Sequence, residues 1–421
     1  MFDIGTLDQL AEITMGQSPK GSTVGTEGKV PLLNGPTEFG IDHPHPVQFT
    51  NDPKRLARKG DLLFCVRGST GKMNWADQDY AIGRGIAAIR QKKPDTIHFI
   101  KGAIQVNLRR LTNAAIGSVI TGIKKNDLFK FECPIPDKKE IVKINKFLEN
   151  LYQKIELNQK MNETLEEIAK TLFKSWFIDF DPVKAKAEGR PTGLSKEISD
   201  LFPNYLEDSE LGKIPKGWKI SSLEHFCESV RDGTHDSPKS SEVGEYLITT
   251  RNIVNGEIDL SNAYKISKED YEDVNRRSKV DQWDVLISMI GTVGEVCLVR
   301  EEPKFAIKNL GLFKNRSRLH GEWLYYFLKS TYAQTHLRSN LRGTTQLYIP
   351  LGELRDFPFF CPPEDILSSF GELTSVLTDK IGHNLNENKT LSELRQILLS
   401  KLISGELKIP DVESLIEEAS I

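Results

Sequence analysis

The sequence predicts an α+β protein made of two similar mixed α/β domains, separated by two long antiparallel coiled-coil helices in a pseudo-two-fold internal repeat. Three observations predict it. First, the chain repeats itself at half its length. Gly60-Asp61-Leu62-Leu63 with Gly68-Ser69-Thr70-Gly71 matches Trp283-Asp284-Val285-Leu286 with Gly291-Thr292-Val293-Gly294 at a constant offset of 223. Further along the offset becomes 226 and holds from Leu128/Leu354 and Pro136/Pro362 to Asn162/Asn388 and Leu165/Leu391. Such self-similarity has to be accounted for before anything else. Second, the first part of each copy is full of short β-type runs, such as Leu62-Leu63-Phe64-Cys65-Val66 and Val285-Leu286-Ile287-Ser288, punctuated by Gly, Asn and Pro. Third, the second part of each copy carries one apolar stripe at spacings of three and four.

The elements follow in order. Residues 1–137 form the first globule. Residues 138–178 form the first spacer helix, with apolar positions Ile141, Ile144, Leu148, Leu151, Ile155, Leu165, Ile168, Leu172 and Trp176. Pro134-Ile135-Pro136 suits its start, and Asp179-Phe180-Asp181-Pro182 ends it. Residues 179–217 read as a surface connector, partly ordered, of mixed charge. Residues 218–362 repeat the globule. Residues 363–405 repeat the helix, entered through Pro362-Pro363, with its stripe at Phe370, Leu373, Leu377, Ile381, Leu391, Leu394, Leu398 and Leu402. Gly371 and Gly382 interrupt that second helix, and residues 406–421 are a C-terminal tail. A single apolar stripe cannot be left in water, and two in one chain most readily bury each other as an antiparallel pair. About 40 residues of helix span roughly 60 Å. Both stripes break at asparagine, Asn158 and Asn162 in one copy, Asn384 and Asn388 in the other. Polar seam residues either fix the register or mark a solvated gap in imperfect packing.

Composition bounds the function. The chain has 421 residues, 38% hydrophobic and 27% charged, an ordinary globular mixture. No stretch approaches the apolar length of a membrane helix, and Met1-Phe2-Asp3-Ile4 does not begin a signal peptide. The five cysteines, at 65, 133, 227, 297 and 361, are far apart with no C-x-x-C spacing. They suggest neither zinc nor a disulfide framework, and a reducing cytoplasm is the expected compartment. The net charge of -3 conceals a pattern. Lys54 to Lys130 holds 16 Lys/Arg against 5 acidic residues, and Arg300 to Gly343 holds 9 against 3. Basic stretches in a neutral chain suit an anionic partner on one face, or a solvated surface of mixed charge. With helices antiparallel, two related heads would sit at opposite ends of a rod. Reading a split site on duplex DNA is one function that needs this geometry.

Specific strings then resemble the specificity (S) subunit of type I restriction-modification systems. They are Gly16-Gln17-Ser18-Pro19, Leu33-Asn34-Gly35-Pro36, Leu172-Phe173-Lys174-Ser175-Trp176-Phe177, Asp179-Phe180-Asp181-Pro182-Val183, Gly212-Lys213-Ile214-Pro215-Lys216-Gly217-Trp218, Asp232-Gly233-Thr234-His235, Gly343-Thr344-Thr345-Gln346 and Ser404-Gly405-Glu406-Leu407. The resemblance covers almost the whole chain. It implies that the globules are target recognition domains, each reading one half of an asymmetric bipartite site, while the helices set the unread gap. It also implies a non-catalytic subunit bound to double-stranded DNA and to two methyltransferase (M) subunits, which use S-adenosylmethionine to methylate adenine. Restriction (R) subunits using ATP and magnesium would join them, and no cofactor would sit on this chain. The first copy departs from Gly-Thr-Thr-Gln, with Gly117-Ser118-Val119-Ile120 in its place.

Chemistry of its own finds no support. Gly71-Lys72 lacks the first glycine and the Ser/Thr of a P-loop. Cys361-Pro362-Pro363-Glu364 lacks both flanks of an adenine methyltransferase motif, and His320 and Glu322 have no cysteine partners for a zinc deaminase. DNA contacts are better candidates. Arg67, Gly68, Ser69, Thr70 and Lys72 form a small basic loop suited to phosphates, or simply a tight turn. Arg84, Lys124, Lys125 and Asn126 lie in the same basic region. In the second copy Arg251, Asn252, Ser288, Thr292, Lys308, Asn309, Arg342, Thr344, Thr345 and Gln346 offer the same residue types. Arg, Asn and Gln pair bidentately with guanine or adenine edges. The competing reading is a coiled-coil scaffold that assembles other proteins without touching DNA.

Overall fold

The computed structural model describes residues 2–40, 42–114 and 122–411. They divide into two compact units, Met1–Asn158 with Asn386–Ile421, and Gln159–Leu385.

In the first unit a four-stranded antiparallel sheet comprises β1 (Ala11–Met15), β2 (Leu62–Cys65), β3 (Met73–Trp75) and β4 (Ile86–Gln91), in the order β1-β4-β2-β3. Side chains of a strand alternate between faces. Leu62 and Phe64 of β2 therefore enter a core with Ile13, Ala87, Ile89 and the helix Ile97–Val106. Leu63 and Cys65 enter a second core with Leu33, Tyr80 and Ile82. Burial on both faces explains why this strand is an unbroken apolar run. A second sheet pairs Val30–Leu33 in parallel with Tyr80–Ile82.

The second unit repeats the plan. Strands β5 (Ser229–Asp232), β6 (Val285–Ser288), β7 (Val296–Leu298) and β8 (Leu310–Lys314) run in the order β5-β8-β6-β7, and Glu245–Ile248 pairs in parallel with Phe305–Ile307. Val285 and Ile287 face one core, Leu286 the other. Matching details recur. Gly60 and Trp283 occupy equivalent turns at φ +87° and +71°. Just after them Asp61 is held bidentately by Arg90, 2.8 Å at each oxygen, and Asp284 by Lys314 at 2.8 Å. Asp61 accepts the Arg58 amide and Asp284 the Asp281 amide, both at 2.7 Å.

The long helices are α1 (Lys138–Phe177) and α2 (Glu364–Ser404). In the first unit Ile141, Ile144 and Leu148 share a core with Leu398, Leu402 and Ile403. Asn158 donates to Glu387 Oε2 at 2.8 Å and Asn388 Oδ1 at 2.9 Å, and Asn388 donates to the Ile155 carbonyl at 3.3 Å. In the second unit Asn384 donates to Asn162 Oδ1 at 2.8 Å, and Asn162 to the Ile381 carbonyl at 3.4 Å. Within each unit the segments run antiparallel, and the four asparagines bond across the seam.

Three sequence expectations change. Ile168 and Leu373 are 50% and 42% exposed, while Ala169, Phe173, Thr374 and Thr378 are buried. The aromatic residues Phe173, Trp176, Phe177 and Phe370 pack with Trp323 in tilted and edge-to-face pairs. Their bulk turns the helix faces toward the globule and carries Ile168 and Leu373 outward. Gly371 is a close approach: a Cβ there would lie 2.2 Å from Leu319 Cδ2. The connector is structural, since Phe180, Val183, Phe202 and Ile214 belong to the second unit's core.

Candidate nucleic-acid interface

In the first unit, residues Arg67–Lys72 turn the chain from β2 into β3. Gly68 and Gly71 sit at φ +79° and +96°, where a side chain is strained. The Gly71 amide bonds the Cys65 carbonyl at 2.9 Å and closes the turn. Arg67, Gly68, Ser69 and Lys72 are exposed and Thr70 is half-buried. The Lys72 amine lies 3.4 Å from the Phe39 carbonyl. Two neighbouring segments meet this turn. The Ile123 amide bonds the Val66 carbonyl at 3.0 Å, which brings up exposed Lys124, Lys125 and Asn126 at the start of a short helix. The Val66 amide bonds the Gly85 carbonyl at 2.8 Å, which brings up exposed Arg84. Among the described residues, Arg67, Lys72, Arg84, Lys124 and Lys125 have no carboxylate partner. Five uncompensated cations at one sheet edge suit phosphates. Gly117-Ser118-Val119-Ile120 lies outside the described residues.

The second unit builds the same cluster with different side chains. The Gly291 amide bonds the Leu347 carbonyl at 3.2 Å, so loop Arg342–Tyr348 lies beside the Thr292 turn. Thr292, Thr344, Thr345 and Gln346 are exposed at its tip. Arg342 is neutralised by Glu353 at 2.7 Å. Arg251 is exposed, Lys308 and Asn309 are half-buried, and exposed Glu295 stands where the first copy has Lys72. This face is therefore less basic than the first.

Two candidates are corrected. Ser288 is 0% exposed; its hydroxyl donates to the Thr292 carbonyl and accepts the Glu295 amide at 2.8 Å. Asn252 is 3% exposed; it accepts the Thr249 amide at 2.9 Å and donates to the Asp259 carbonyl at 3.0 Å. Both groups are spent inside the fold and cannot meet a duplex.

One residue escaped the sequence reading. The His235 ring spans Asn309 Oδ1 at 2.9 Å and Asp232 Oδ2 at 3.0 Å. Its signal was the Asp232-Gly233-Thr234-His235 string, but a partner 74 residues away could not be read from it. Glu322 is wholly buried on Arg318 at 2.7 Å, with its carboxyl raised by burial, so it serves packing. Pro362-Pro363 links strand Pro358–Cys361 to α2, whose first turn bonds the Pro363 carbonyl.

A module built twice, each copy collecting exposed loops at one sheet edge, with the cations gathered in the first, defines a duplicated nucleic-acid-binding protein. The family described as the type I restriction modification DNA specificity domain matches residues 2–167 and again residues 215–387, and the chain belongs to it. It is a DNA-recognition subunit of the type I restriction-modification kind. Among its relatives is the type I restriction enzyme HindI specificity subunit of Haemophilus influenzae, 24% identical over 408 residues, covering 84% of this chain and 88% of that one. Another is the MjaIX specificity subunit of Methanocaldococcus jannaschii, 24% identical over 368 residues, covering 85% and 80%. The S subunit of a type I restriction-modification system from M. genitalium shares the fold, with a TM-score of 0.55 at 15% identity over 96% of each chain.

Proposed function

We propose that each unit reads one half of an asymmetric bipartite DNA sequence, and that the chain does so without chemistry of its own. The observation that carries this is the same loop cluster on the same strand order in both units, with different side chains at its tips. Equal scaffolds give equal docking; unequal tips give unequal half-sites. Two methyltransferase subunits supply S-adenosylmethionine and methyl transfer, restriction subunits supply ATP-driven cleavage, and the helix pair sets the unread gap. The setting is the cytoplasm, where the host DNA lies.

The test is to map methylated adenines in cells that express the full chain with methyltransferase subunits, against cells that lack the chain. The expected result is methylation within one split sequence of fixed gap, present only with the chain. Methylation independent of the chain, or no retention of duplex DNA by the complex at low salt, would favour the scaffold reading instead. Lengthening α1 by one turn, about 6 Å, should widen the gap by a base pair or two.

A further inference from the structure

One turn differs between the modules in a way that assigns bases. It joins the strand of the parallel pair to the central antiparallel strand, as Ile82-Gly83-Arg84-Gly85-Ile86 in the first unit and Ile307-Lys308-Asn309-Leu310 in the second. Three backbone bonds match the two ends of the turn, whose tip is one residue longer in the first unit. Gly16 to the Ile86 carbonyl at 2.9 Å matches Gly233 to Leu310 at 2.9 Å. Gln17 to Ile82 at 2.8 Å matches Thr234 to Ile307 at 3.0 Å. Gly83 to Leu33 at 2.8 Å matches Lys308 to Ile248 at 2.9 Å.

We infer that this turn is a base-reading position in both modules, with Arg84 reading a guanine in one half-site and Asn309, positioned by His235, reading an adenine in the other. The inference rests on the DNA-reading function proposed above.

In the first unit the turn offers one side chain. A Cβ on Gly83 would lie 2.6 Å from Asn34 Oδ1, and one on Gly85 would lie 2.4 Å from the Asn34 carbonyl. Only glycine fits on either side, so Arg84 alone projects, exposed and without a carboxylate partner among the described residues. A free guanidinium matches guanine O6 and N7.

In the second unit Asn309 holds a left-handed φ of +55°. Its amide is locked by a chain that starts in the fold. Asp232, 5% exposed, is gripped by the Arg277 guanidinium, the carboxylate meets His235 Nε2, and His235 Nδ1 meets Asn309 Oδ1. Lys308 is drawn aside onto Ser237 Oγ. Among the described residues, Asn309 Nδ2 makes no hydrogen bond, and Oδ1 keeps a second lone pair. One donor and one acceptor in a fixed plane match adenine N7 and N6. Positioning by a supporting shell makes such a contact selective.

The test is selection from a randomised duplex pool by the full chain in complex with methyltransferase subunits, for wild type and four variants. Asn309→Gly keeps the left-handed backbone and removes the amide. It should erase one adenine preference, worth roughly 5- to 150-fold over other bases, and leave the other half-site intact. His235→Ala should weaken the same position only, with unchanged melting temperature and unchanged affinity for random DNA. His235→Gln, whose amide can still bond Asn309, should restore part of the preference. Arg84→Ala should relax one guanine in the opposite half-site. Adenine preference surviving Asn309→Gly in a wild-type-like bipartite motif overturns the assignment but spares the DNA-reading function. His235→Ala lowering the melting temperature and blurring many positions shows a structural histidine and overturns its role. A wild-type complex that selects no sequence overturns both readings.

Discussion

Replacing Glu166 by alanine should destabilise the second unit far more than the same change at Glu167, one residue along α1. Glu166 accepts from Arg300 at 3.3 Å, from the Tyr325 hydroxyl at 3.0 Å and from Lys329 at 3.4 Å. The side chains of Glu166, Arg300 and Lys329 are only 16%, 7% and 22% exposed. Burial lowers the Lys329 pKa and raises that of Glu257, the other partner of Arg300 at 2.5 Å. Without Glu166, Arg300 keeps Glu257, and half-buried Lys329 has no carboxylate within ion-pair distance among the described residues. Breaking a buried pair costs roughly 3–5 kcal/mol. The surviving Glu257 holds the figure near the lower end, about 3 kcal/mol, or about 6–12 °C for a unit of this size. Glu167 pairs with Lys170 on the surface, and its loss should cost less than about 0.5 kcal/mol. Calorimetry of the full chain reads both shifts. Glu166→Gln with Lys329→Met, which removes both charges, should recover much of the loss. Equal shifts for Glu166→Ala and Glu167→Ala would refute the reasoning.

Other outcomes follow from the same physics. Lys125→Ala should weaken binding to every duplex alike and lower the slope of log affinity against log salt by about one; sequence choice should not change. Lys101 lies over the Tyr152 and Trp75 rings at 4.1 and 4.9 Å, and burial lowers its pKa to about 8. Below that value it is protonated folded and unfolded, so the burial cost is fully present; between about 8 and its unperturbed 10.5 only the unfolded chain holds the proton, and stability rises with pH. The rings favour the cation and oppose this, so the gain is at most about 3 kcal/mol; thermal melts of wild type and Lys101→Met across this range measure it, and the variant should lack the rise. Gly382→Ala, with open space for its Cβ, should stabilise α2 by up to about 1 kcal/mol, whereas Gly371→Ala should cost about 1–3 kcal/mol by forcing Leu319 away; denaturant titration ranks the two.

The fold was legible where backbone and burial repeat locally. The offset between Asp61 and Asp284 survives because each carboxylate caps a turn and anchors a cation, needs that tolerate few substitutes. The run Leu62–Cys65 announced a strand, which the structure buries on both faces. Legibility failed where tertiary contacts decide. Nothing local distinguishes Ile168 from Ala169, yet the aromatic cluster at Phe173 and Phe370 selects which faces inward. Residue type alone marked Ser288 and Asn252 as DNA contacts. Ser288 had a warning, since it ends the apolar run Val285-Leu286-Ile287, but the bonds of Asn252 depend on how the loop closes. His235 was visible as a residue and invisible as a link.

A duplicated chain carries its own control experiment, because both copies answer to one folding problem but to two binding problems. Positions that fold the module should agree between copies in chemistry, and positions that read should be free to differ. Asp61/Asp284 and Arg90/Lys314 agree: a buried carboxylate and a cation in each unit. Lys72/Glu295 and Arg84/Asn309 do not: the first pair accepts the same backbone bond in each unit, and the second stands in turns whose two ends match. The first pair reverses charge at an exposed site and the second exchanges a guanidinium for an amide. Neither change is needed to keep the strands in register. Divergence at exposed tips, above shared buried contacts, is what separate half-sites on one duplex would demand. A scaffold with no sequence to read would have no reason to vary there rather than elsewhere on its surface.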